Sequence, residues 1–202
     1  MKYGFGIVGL GMIADFHARA IAEMEGGDVA ACYSRSAEKA GAFGEKFGCT
    51  GYTNYREFLA HEGLDIVSVC TPSGLHLEPT LEAVEAGKHV IVEKPLEVTL
   101  KRCDAMIEGA QRNGVTLAGI FPSRFHDVAS VIKEAVDEGR FGTVSLGDAY
   151  VKWFRTQEYY DEGGWKGTWK YDGGGALMNQ SIHAIDLLQW FMGPVVSVQA
   201  TT

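Results

Sequence analysis

Over residues 1–121 the chain alternates short apolar runs with segments of helical period, and this rhythm limits the folds open to it. Parallel strands need a crossover connection, usually a helix, between them. The pattern therefore predicts an α/β fold in which a doubly wound parallel sheet is covered by helices on both faces. The predicted strands are 3–8, 29–34, 65–70, 89–92 and 115–120. The intervening helices begin near Met12, Ser36, Asn54, Leu77 and Leu100.

The rhythm then changes, which divides the chain into predicted domains at 1–121 and 122–202. The elements predicted for the second domain are a helix over 128–139, a strand over 143–154, a loop over 155–172, a helix over 177–192 and a strand from Val195. Two strands are too few for a stable sheet. From residue 171 onward only Asp172 and Asp186 are charged. We therefore expect a truncated form, or the ordered part, of a longer protein.

The charge and cysteine content of the chain argue against several classes of binding partner and site. The 202 residues carry a formal net charge of −8, which argues against nucleic acid and anionic membranes. The four cysteines form no CxxC pair and predict free thiols in a reducing compartment. No cluster of His and Cys suggests a metal site, and no apolar run approaches the ~18 residues of a membrane span. Without a recognisable signal peptide, we expect a cytoplasmic protein.

A glycine motif follows the first predicted strand and opens the first helix. Residues 9–14 read GLGMIA, which fits the GxGxxA pattern of dinucleotide-binding turns. Gly9 permits the tight turn, Gly11 lets the backbone approach a pyrophosphate, and Ala14 allows close helix packing. Met12 and Ile13 would lie at the helix N-terminus that faces the phosphates. A glycine-rich turn without a ligand is the alternative, but this context favours nucleotide binding.

The end of the second strand bears on which cofactor binds. An Asp or Glu there would hold the ribose hydroxyls of NAD. This sequence has Ser34 and Arg35 instead. They suit a 2′-phosphate, because guanidinium matches phosphate oxygens, so the balance favours NADP(H) over NAD. The alternative is that Arg35 is solvated and that NAD binds through backbone groups.

Two further loops follow strands at the same sheet edge, where ligands bind in such folds. Thr71, Pro72 and His76 follow one strand. His76 either lies near the nicotinamide or is a surface or first-turn histidine. Glu93 and Lys94 end the next strand. A partly desolvated lysine makes a proton donor or an electrophilic anchor, although a lone lysine is more often a surface charge.

The helix predicted over 177–192 is almost free of charge. Its polar face carries Asn179, His183 and Asp186, opposite an apolar face. A solvent-facing stripe would normally carry Lys, Glu or Arg, so this stripe is expected to border a partly buried pocket. His183 suits proton transfer there, or is a hydrogen-bonded structural histidine.

The preceding loop, 155–172, interleaves aromatic and basic side chains. Such side chains can line a site for a sugar or an anionic sugar. We predict substrate contacts for Arg155, Tyr159 and Trp165. The alternative is a loop that simply packs onto the domain junction.

Four motifs together resemble the glucose-fructose oxidoreductase, inositol dehydrogenase and rhizopine-catabolism family (Gfo/Idh/MocA). They are the GxGxxA turn, TPxxxH at 71–76, EKP at 93–95 and GGGALMNQSIHAID at 173–186. The stretch 153–169 further resembles sugar-nucleotide 3-dehydrogenase-like members. The resemblance implies an N-terminal Rossmann domain that binds NAD(P). It also implies a C-terminal α/β domain with an open mixed sheet, incomplete in this chain, through which the family commonly forms homo-oligomers.

The resemblance also implies roles for single residues. Lys94 and His183 match the family's catalytic lysine and histidine, and Pro95 matches a proline that is often cis. Arg124 matches a segment lining the cofactor and substrate cleft. Many members have Asp where this chain has Asn179. Because an amide takes up no proton, we expect His183 to act as base, Lys94 to polarise the oxygen, and Asn179 to orient the substrate or His183.

The activity implied is NAD(P)-dependent oxidation of a sugar, sugar-nucleotide or cyclitol hydroxyl, or the reverse reduction. Two alternatives stay open. Some members are glycosidases that use bound NAD for transient oxidation and elimination, and others are non-catalytic sensors of NAD(P) or sugar. The presence of both Lys94 and His183 counts against a sensor.

Overall fold

A computed structural model describes residues 2–201, and its centre is a single parallel sheet. The strands are β1 (Tyr3–Val8), β2 (Gly27–Tyr33), β3 (Thr50–Tyr52), β4 (Leu64–Val69), β5 (His89–Val92) and β6 (Leu117–Gly119). Their order is β3-β2-β1-β4-β5-β6. The chain winds in one direction from β1 to β3 and in the other from β4 to β6, which confirms the predicted doubly wound sheet. The outermost residues of the two predicted domains, Met1 and Thr202, lie outside the described residues.

Helices connect the strands and continue beyond the sheet. They are α1 (Met12–Glu23), α2 (Ala37–Phe47), α3 (Tyr55–Leu59), α4 (Leu77–Glu85), α5 (Leu100–Asn113), α6 (Asp127–Asp137), α7 (Gln157–Asp161), α8 (Gly175–Asn179) and α9 (Ile182–Met192). Local signals fix several ends: the Ser36 side chain caps α2, and Gly48 ends it in the left-handed conformation. None of the helices within residues 2–201 is long and apolar enough to cross a membrane.

Side chains on the two faces of the sheet form two separate cores. Along each strand, neighbouring residues point to opposite faces. One core contains Val8, Val69 and Val92, and the other contains Ile7 and Cys32. This burial on both faces explains why the strands read as continuous apolar runs rather than as an alternating pattern.

The chain after α6 differs from the prediction. The strands expected over 143–154 and from Val195 are absent among the described residues, which therefore contain no second sheet. A strand needs a neighbour that pairs with its backbone. No described segment pairs with either stretch, and Val196 is 97% exposed. β3 was also not predicted, because its three residues, TGY, are too few to show the alternating or continuous apolar pattern of a strand.

Candidate active site

Three connections leave the sheet side by side at one edge. The last residues of β1, β4 and β5, which are Val8, Val69 and Val92, lie in register. The glycine turn after β1 and Lys94 after β5 therefore border the same crevice. The strand order reverses beside β1 at this edge, where open parallel sheets bind nucleotides.

The glycine turn forms a cradle that side chains would fill or obstruct. Gly9 has φ +87°, and a Cβ there would lie 2.7 Å from the backbone nitrogen of Thr71. At Gly11 a Cβ would meet nothing within 4 Å, so the space before α1 is open. Gly11 caps α1 without a side-chain hydrogen bond, which leaves the first N–H groups of the helix available. Ala14 is fully buried. The residues present therefore fit a diphosphate.

Ser34 and Arg35 lie next to this turn, because Tyr33 at the end of β2 pairs with Val8. The Ser34 hydroxyl accepts a hydrogen bond from the backbone N–H of Ser36 at 3.2 Å. Arg35 is exposed, and among residues 2–201 it has no ion-pair partner. Its guanidinium is thus available at the position that distinguishes the two nicotinamide cofactors.

Lys94 reaches from the end of β5 to the second region of the chain. Its ammonium donates to the backbone carbonyl of Asn179 at 2.7 Å and lies 3.4 Å from that residue's Oδ1. Burial lowers the pKa of Lys94, and the carboxylates of Glu93 and Asp172 oppose this only in part. A lowered pKa makes the ammonium a better proton donor. The Lys94–Pro95 peptide bond is cis, as the resemblance implied.

A break in the predicted helix provides the Asn179 carbonyl. The sequence pattern predicted one helix, whereas the structure ends α8 at Asn179 and begins α9 at Ile182. In a continuous helix this carbonyl would accept the backbone N–H of His183. The break leaves the carbonyl to Lys94. The break between α8 and α9 therefore explains how the Asn179 carbonyl becomes available to Lys94.

Glu93, the residue before Lys94, is held by a buried polar network. The Nε2–H of His17, on α1, donates to Glu93 Oε1 at 2.9 Å, while His17 Nδ1 lies 2.6 Å from the Ser68 hydroxyl. The other Glu93 oxygen accepts the backbone N–H of Lys94 at 3.0 Å. Burial raises the pKa of the Glu93 carboxyl, but the His17 hydrogen bond and the nearby charges outweigh it, so the pKa lies below its ordinary value.

Asn179 is itself held by a buried carboxylate. Its Nδ2 donates to Asp172 Oδ1, and Asp172 Oδ2 accepts the backbone N–H of Gly167 at 2.7 Å. Asp172 is only 1% exposed. A chain of contacts thus runs from the aromatic loop through Asp172 and Asn179 to Lys94.

His183 lies on the first turn of α9 with its imidazole half-buried. Its Nδ1 is enclosed and has no hydrogen-bond partner among the described residues, which leaves Nε2 as the nitrogen that can reach a substrate. Burial lowers the pKa of His183, and the positive charge of Lys94 lowers it further against the effects of Glu93 and Asp186. The imidazole is therefore neutral near pH 7, which is the form that accepts a proton. The Trp153 ring lies 6.4 Å from it.

Arg124, which matches a segment lining the cofactor and substrate cleft in the family, pairs with a carboxylate of this chain. Its guanidinium binds the Asp186 carboxylate in a bidentate pair, at 2.7 and 2.6 Å. The same group lies 5.4 Å from the ring centre of Trp190. Asp186 is buried on α9, three positions after His183. Arg124 therefore anchors the helix that carries His183. The polar stripe faces inward as predicted, while Ile185 on the apolar face is 44% exposed.

His76 is fully buried at the start of α4, which favours the alternative of a first-turn histidine over a place beside the nicotinamide. Its Nε2 lies 2.8 Å from the Thr71 carbonyl and its Nδ1 lies 3.1 Å from the Pro95 carbonyl. It thus ties two edge loops together. Thr71 and Pro72 stay partly accessible at the edge, where the Thr71 hydroxyl donates to the Leu75 carbonyl.

The aromatic loop brings two cations to one ring. Arg155 lies 5.3 Å and Lys166 lies 3.8 Å from the centre of the Tyr159 ring. Trp165 is half-buried, and its carbonyl accepts the Thr168 hydroxyl at 2.6 Å. The predicted residues Arg155 and Tyr159 are thus brought together, whereas Trp165 makes part of the turn that holds Asp172.

Sequence reasoning missed His17 and Asp172. The signal for His17 was a polar residue on the buried side of α1, between Ala14 and Ala18. The signal for Asp172 was its isolation as one of two charges after residue 171. Neither signal identifies a partner. His17 contacts Ser68 and Glu93, which are distant in sequence, and the contacts of Asp172 depend on how its own loop turns before α8.

Two family profiles match the chain. One describes the NAD-binding Rossmann fold of an oxidoreductase family and matches residues 3–121. The other describes the GFO/IDH/MocA C-terminal domain and matches residues 130–202. Among curated relatives, D-glucoside 3-dehydrogenase of Escherichia coli is 34% identical over 193 residues, which is 93% of this chain and 53% of the relative. The 1,5-anhydro-D-fructose reductase of Ensifer adhaerens is 29% identical, over 93% of this chain and 56% of the relative.

Solved structures of dehydrogenases are also similar to this chain. The WlbA dehydrogenase of Bordetella pertussis, in complex with NADH and UDP-GlcNAcA, superposes with a TM-score of 0.90 at 34% identity, covering 96% of this chain and 60% of that one. The WlbA dehydrogenase of Chromobacterium violaceum, in complex with the same two ligands, gives 0.90 at 36% identity, covering 96% and 56%. The chain spans about half the length of the curated relatives it matches.

Proposed function

This chain belongs to the Gfo/Idh/MocA oxidoreductase family, and from that premise we propose that it is an NAD(P)-dependent dehydrogenase or reductase acting on a hydroxyl or ketone of a sugar or sugar nucleotide. The observation that carries the proposal is the position of Lys94. It lies at the sheet edge beside the glycine cradle. Its ammonium donates a hydrogen bond to the backbone carbonyl of Asn179, four residues before His183. This position supports a site in which the cofactor, the ammonium of Lys94 and the imidazole of His183 border one crevice.

The side chains divide the proton chemistry between them. His183, neutral because of burial and the charge of Lys94, accepts the hydroxyl proton through Nε2. The Lys94 ammonium stabilises the negative charge that develops on the substrate oxygen. Asn179 is fixed beside that ammonium and orients it. When bound, the nicotinamide would supply the hydride-transfer chemistry. Gly9, Gly11 and the N-terminus of α1 would hold its pyrophosphate.

For the cofactor, we propose a preference for NADP(H). Arg35 supports this, because it is exposed and unpaired among the described residues at the end of β2, where no carboxylate is present to hold the ribose hydroxyls. The solved relatives include chains bound to NADH and a chain bound to NADP. The family alone therefore does not decide the question.

For the substrate, we propose an anionic sugar nucleotide. The two cations on the Tyr159 ring support this, since they place positive charge beside an aromatic face. The two WlbA dehydrogenases that share 34% and 36% identity with this chain are described with UDP-GlcNAcA. Trp153, beside His183, is a further aromatic surface for a sugar ring.

The compartment and the assembly are part of the same proposal. We propose a reducing compartment, the cytoplasm, which the four free cysteines support. We also propose self-association, which would cover apolar side chains such as Val196 and Phe154, 97% and 82% exposed. Light scattering at increasing protein concentration tests the second point.

Turnover with defined substrates tests the function. The chain is incubated with NAD or NADP and UDP-GlcNAcA, and reduction of the nicotinamide is followed by absorbance. Wild type should reduce the cofactor and Lys94→Ala should not, with cofactor affinity unchanged by calorimetry. Turnover that survives Lys94→Ala would refute the assigned role. Release of free sugar without net cofactor reduction would indicate a glycosidase.

A further inference from the structure

We propose that Asp172 is a positioning residue for the Lys94–Asn179 pair: it fixes the orientation of the Asn179 amide and supplies the buried negative charge that this neutral amide lacks. Its consequence for turnover rests on the proposed function. Asp172 is in neither the predicted site nor the set of side chains assigned above to the reaction.

The first support is the way the carboxylate is buried. Asp172 is 1% exposed, and a buried carboxylate needs hydrogen-bond donors to offset its desolvation. The backbone N–H of Gly167 and the amide of Asn179 provide them, one to each oxygen. The backbone N–H of Asp172 itself bonds the Thr168 carbonyl at 2.9 Å. The turn thus holds the carboxylate in one place, pointing at Asn179.

The second support is the polarity of the amide. An Asn side chain has a donor end and an acceptor end, and an ionised carboxylate only accepts. Asp172 therefore selects the orientation in which Nδ2 faces it and Oδ1 faces Lys94. In the flipped orientation, two oxygens would oppose each other at Asp172, and an NH₂ group would oppose the ammonium. The carboxylate thus determines which end of Asn179 the lysine meets.

The third support is the charge around Lys94. Two carboxylates favour the charged form of its ammonium: Glu93, the residue before it, and Asp172 in the loop. His183 on α9 adds a positive charge when it is protonated. His17 contacts Glu93, with which it forms a pair, rather than Lys94. Asp172 is thus the carboxylate that the Asn179 amide links to Lys94. It stabilises the ammonium through the Asn179 amide rather than by direct contact.

An exchange of the two side chains tests this. Asp172→Asn removes the charge. The double variant Asp172→Asn with Asn179→Asp restores a carboxylate–amide pair with every donor and acceptor still matched. The matched control is Asp104→Asn, because Asp104 is exposed on α5. All variants are checked for folding by circular dichroism and thermal melting.

The primary measurement is the pH at which Lys94 becomes reactive, from acetic anhydride labelling and mass spectrometry of the full chain. In Asp172→Asn the labelling midpoint should move to lower pH, and in the double variant it should return to or exceed that of wild type. In turnover, kcat should fall about tenfold or more in Asp172→Asn, with little change in KM for the cofactor, and recover in the exchange.

A folded Asp172→Asn variant with an unchanged labelling midpoint would overturn the proposal, as would a folded double variant that fails to restore it. These results are independent of the proposed function, because labelling needs neither cofactor nor substrate. If wild type turns over no sugar, the proposed function fails, while the labelling still decides whether Asp172 acts on Lys94.

Discussion

The ammonium of Lys94 donates a 2.7 Å hydrogen bond to the carbonyl of Asn179, although 85 positions separate the two residues in sequence. This bond joins the edge of the parallel sheet to the end of α8, and it exists because the helix breaks after Asn179. It brings the lysine to the segment that carries His183. The proposed reaction depends on this juxtaposition.

Replacing the lysine should separate binding from chemistry. Lys94→Ala should lower kcat by about a hundredfold or more, because the charge that stabilises the developing oxyanion is lost. Cofactor affinity should change little, since the pyrophosphate cradle lies on β1 and α1. Stopped-flow turnover and calorimetric titration measure the two effects. A parallel loss of both would show that Lys94 mainly maintains the fold.

The same replacement should move the titration of His183. Burial and the positive charge of Lys94 both lower the pKa of His183, so Lys94→Ala should raise that pKa toward 6.5, the ordinary value. Imidazole nitrogen chemical shifts followed against pH report it directly. In wild type, oxidation should fall as the pH drops through the His183 pKa, at a pH below 6.5. A midpoint above that value would contradict a lowered pKa.

Substitution of the two motif glycines should affect different properties: stability at Gly9 and cofactor binding at Gly11. Gly9→Ala should destabilise the fold by about 1–3 kcal/mol, because φ is +87° and the Cβ would contact Thr71. Gly11→Val should leave the melting temperature nearly unchanged, since its Cβ lies in open space, yet block the cofactor pyrophosphate. Denaturant unfolding and cofactor titration measure these effects. Unimpaired cofactor binding by Gly11→Val would place the nucleotide elsewhere.

Removing His17 should cost stability in a pH-dependent way. His17→Leu deprives the buried Glu93 carboxylate of a partner, which we expect to cost about 1.5–3 kcal/mol at neutral pH. The folded-state pKa of Glu93 lies below its ordinary 4.5, so this stabilisation is present above that pH and is lost as the pH falls through the folded-state pKa. Urea unfolding at neutral and acidic pH measures it. An equal loss at both pH values would point to packing alone.

Arg35 should determine the cofactor preference. Arg35→Ala should weaken NADP(H) binding by about tenfold or more and leave NAD(H) binding nearly unchanged, because only the 2′-phosphate would need the guanidinium. Lys39→Ala, on the exposed face of α2, is the matched control. Equal effects on both cofactors, or none, would remove the basis for an NADP(H) preference.

Local signals made much of the sheet predictable from sequence. The bounds of β1 and β5 agree with the prediction because each strand is a compact apolar run between polar or glycine residues. Ser36 and Gly48 mark the ends of α2 through side-chain capping and a left-handed turn, which depend on neighbouring residues alone. Such features need no knowledge of the tertiary structure.

The features that were not predictable depend on tertiary contacts rather than on local pattern. Arg124 pairs with Asp186, which lies 62 positions later. Asp172 and Asn179 are only seven positions apart, but their pairing depends on the turn that buries Asp172, which the sequence pattern does not indicate. The burial of His76 follows from carbonyls that two separate loops present to it. The segment 143–154 fits a strand pattern, but a strand also requires a neighbouring strand that pairs with it, which sequence periodicity does not reveal.

A crystal structure of the chain with NADP(H) and UDP-GlcNAcA tests the central claim most directly. The account predicts that the reacting hydroxyl lies within about 3 Å of both Lys94 Nζ and His183 Nε2, beside nicotinamide C4. A nicotinamide bound away from this edge, or a hydroxyl that reaches neither side chain, would contradict it.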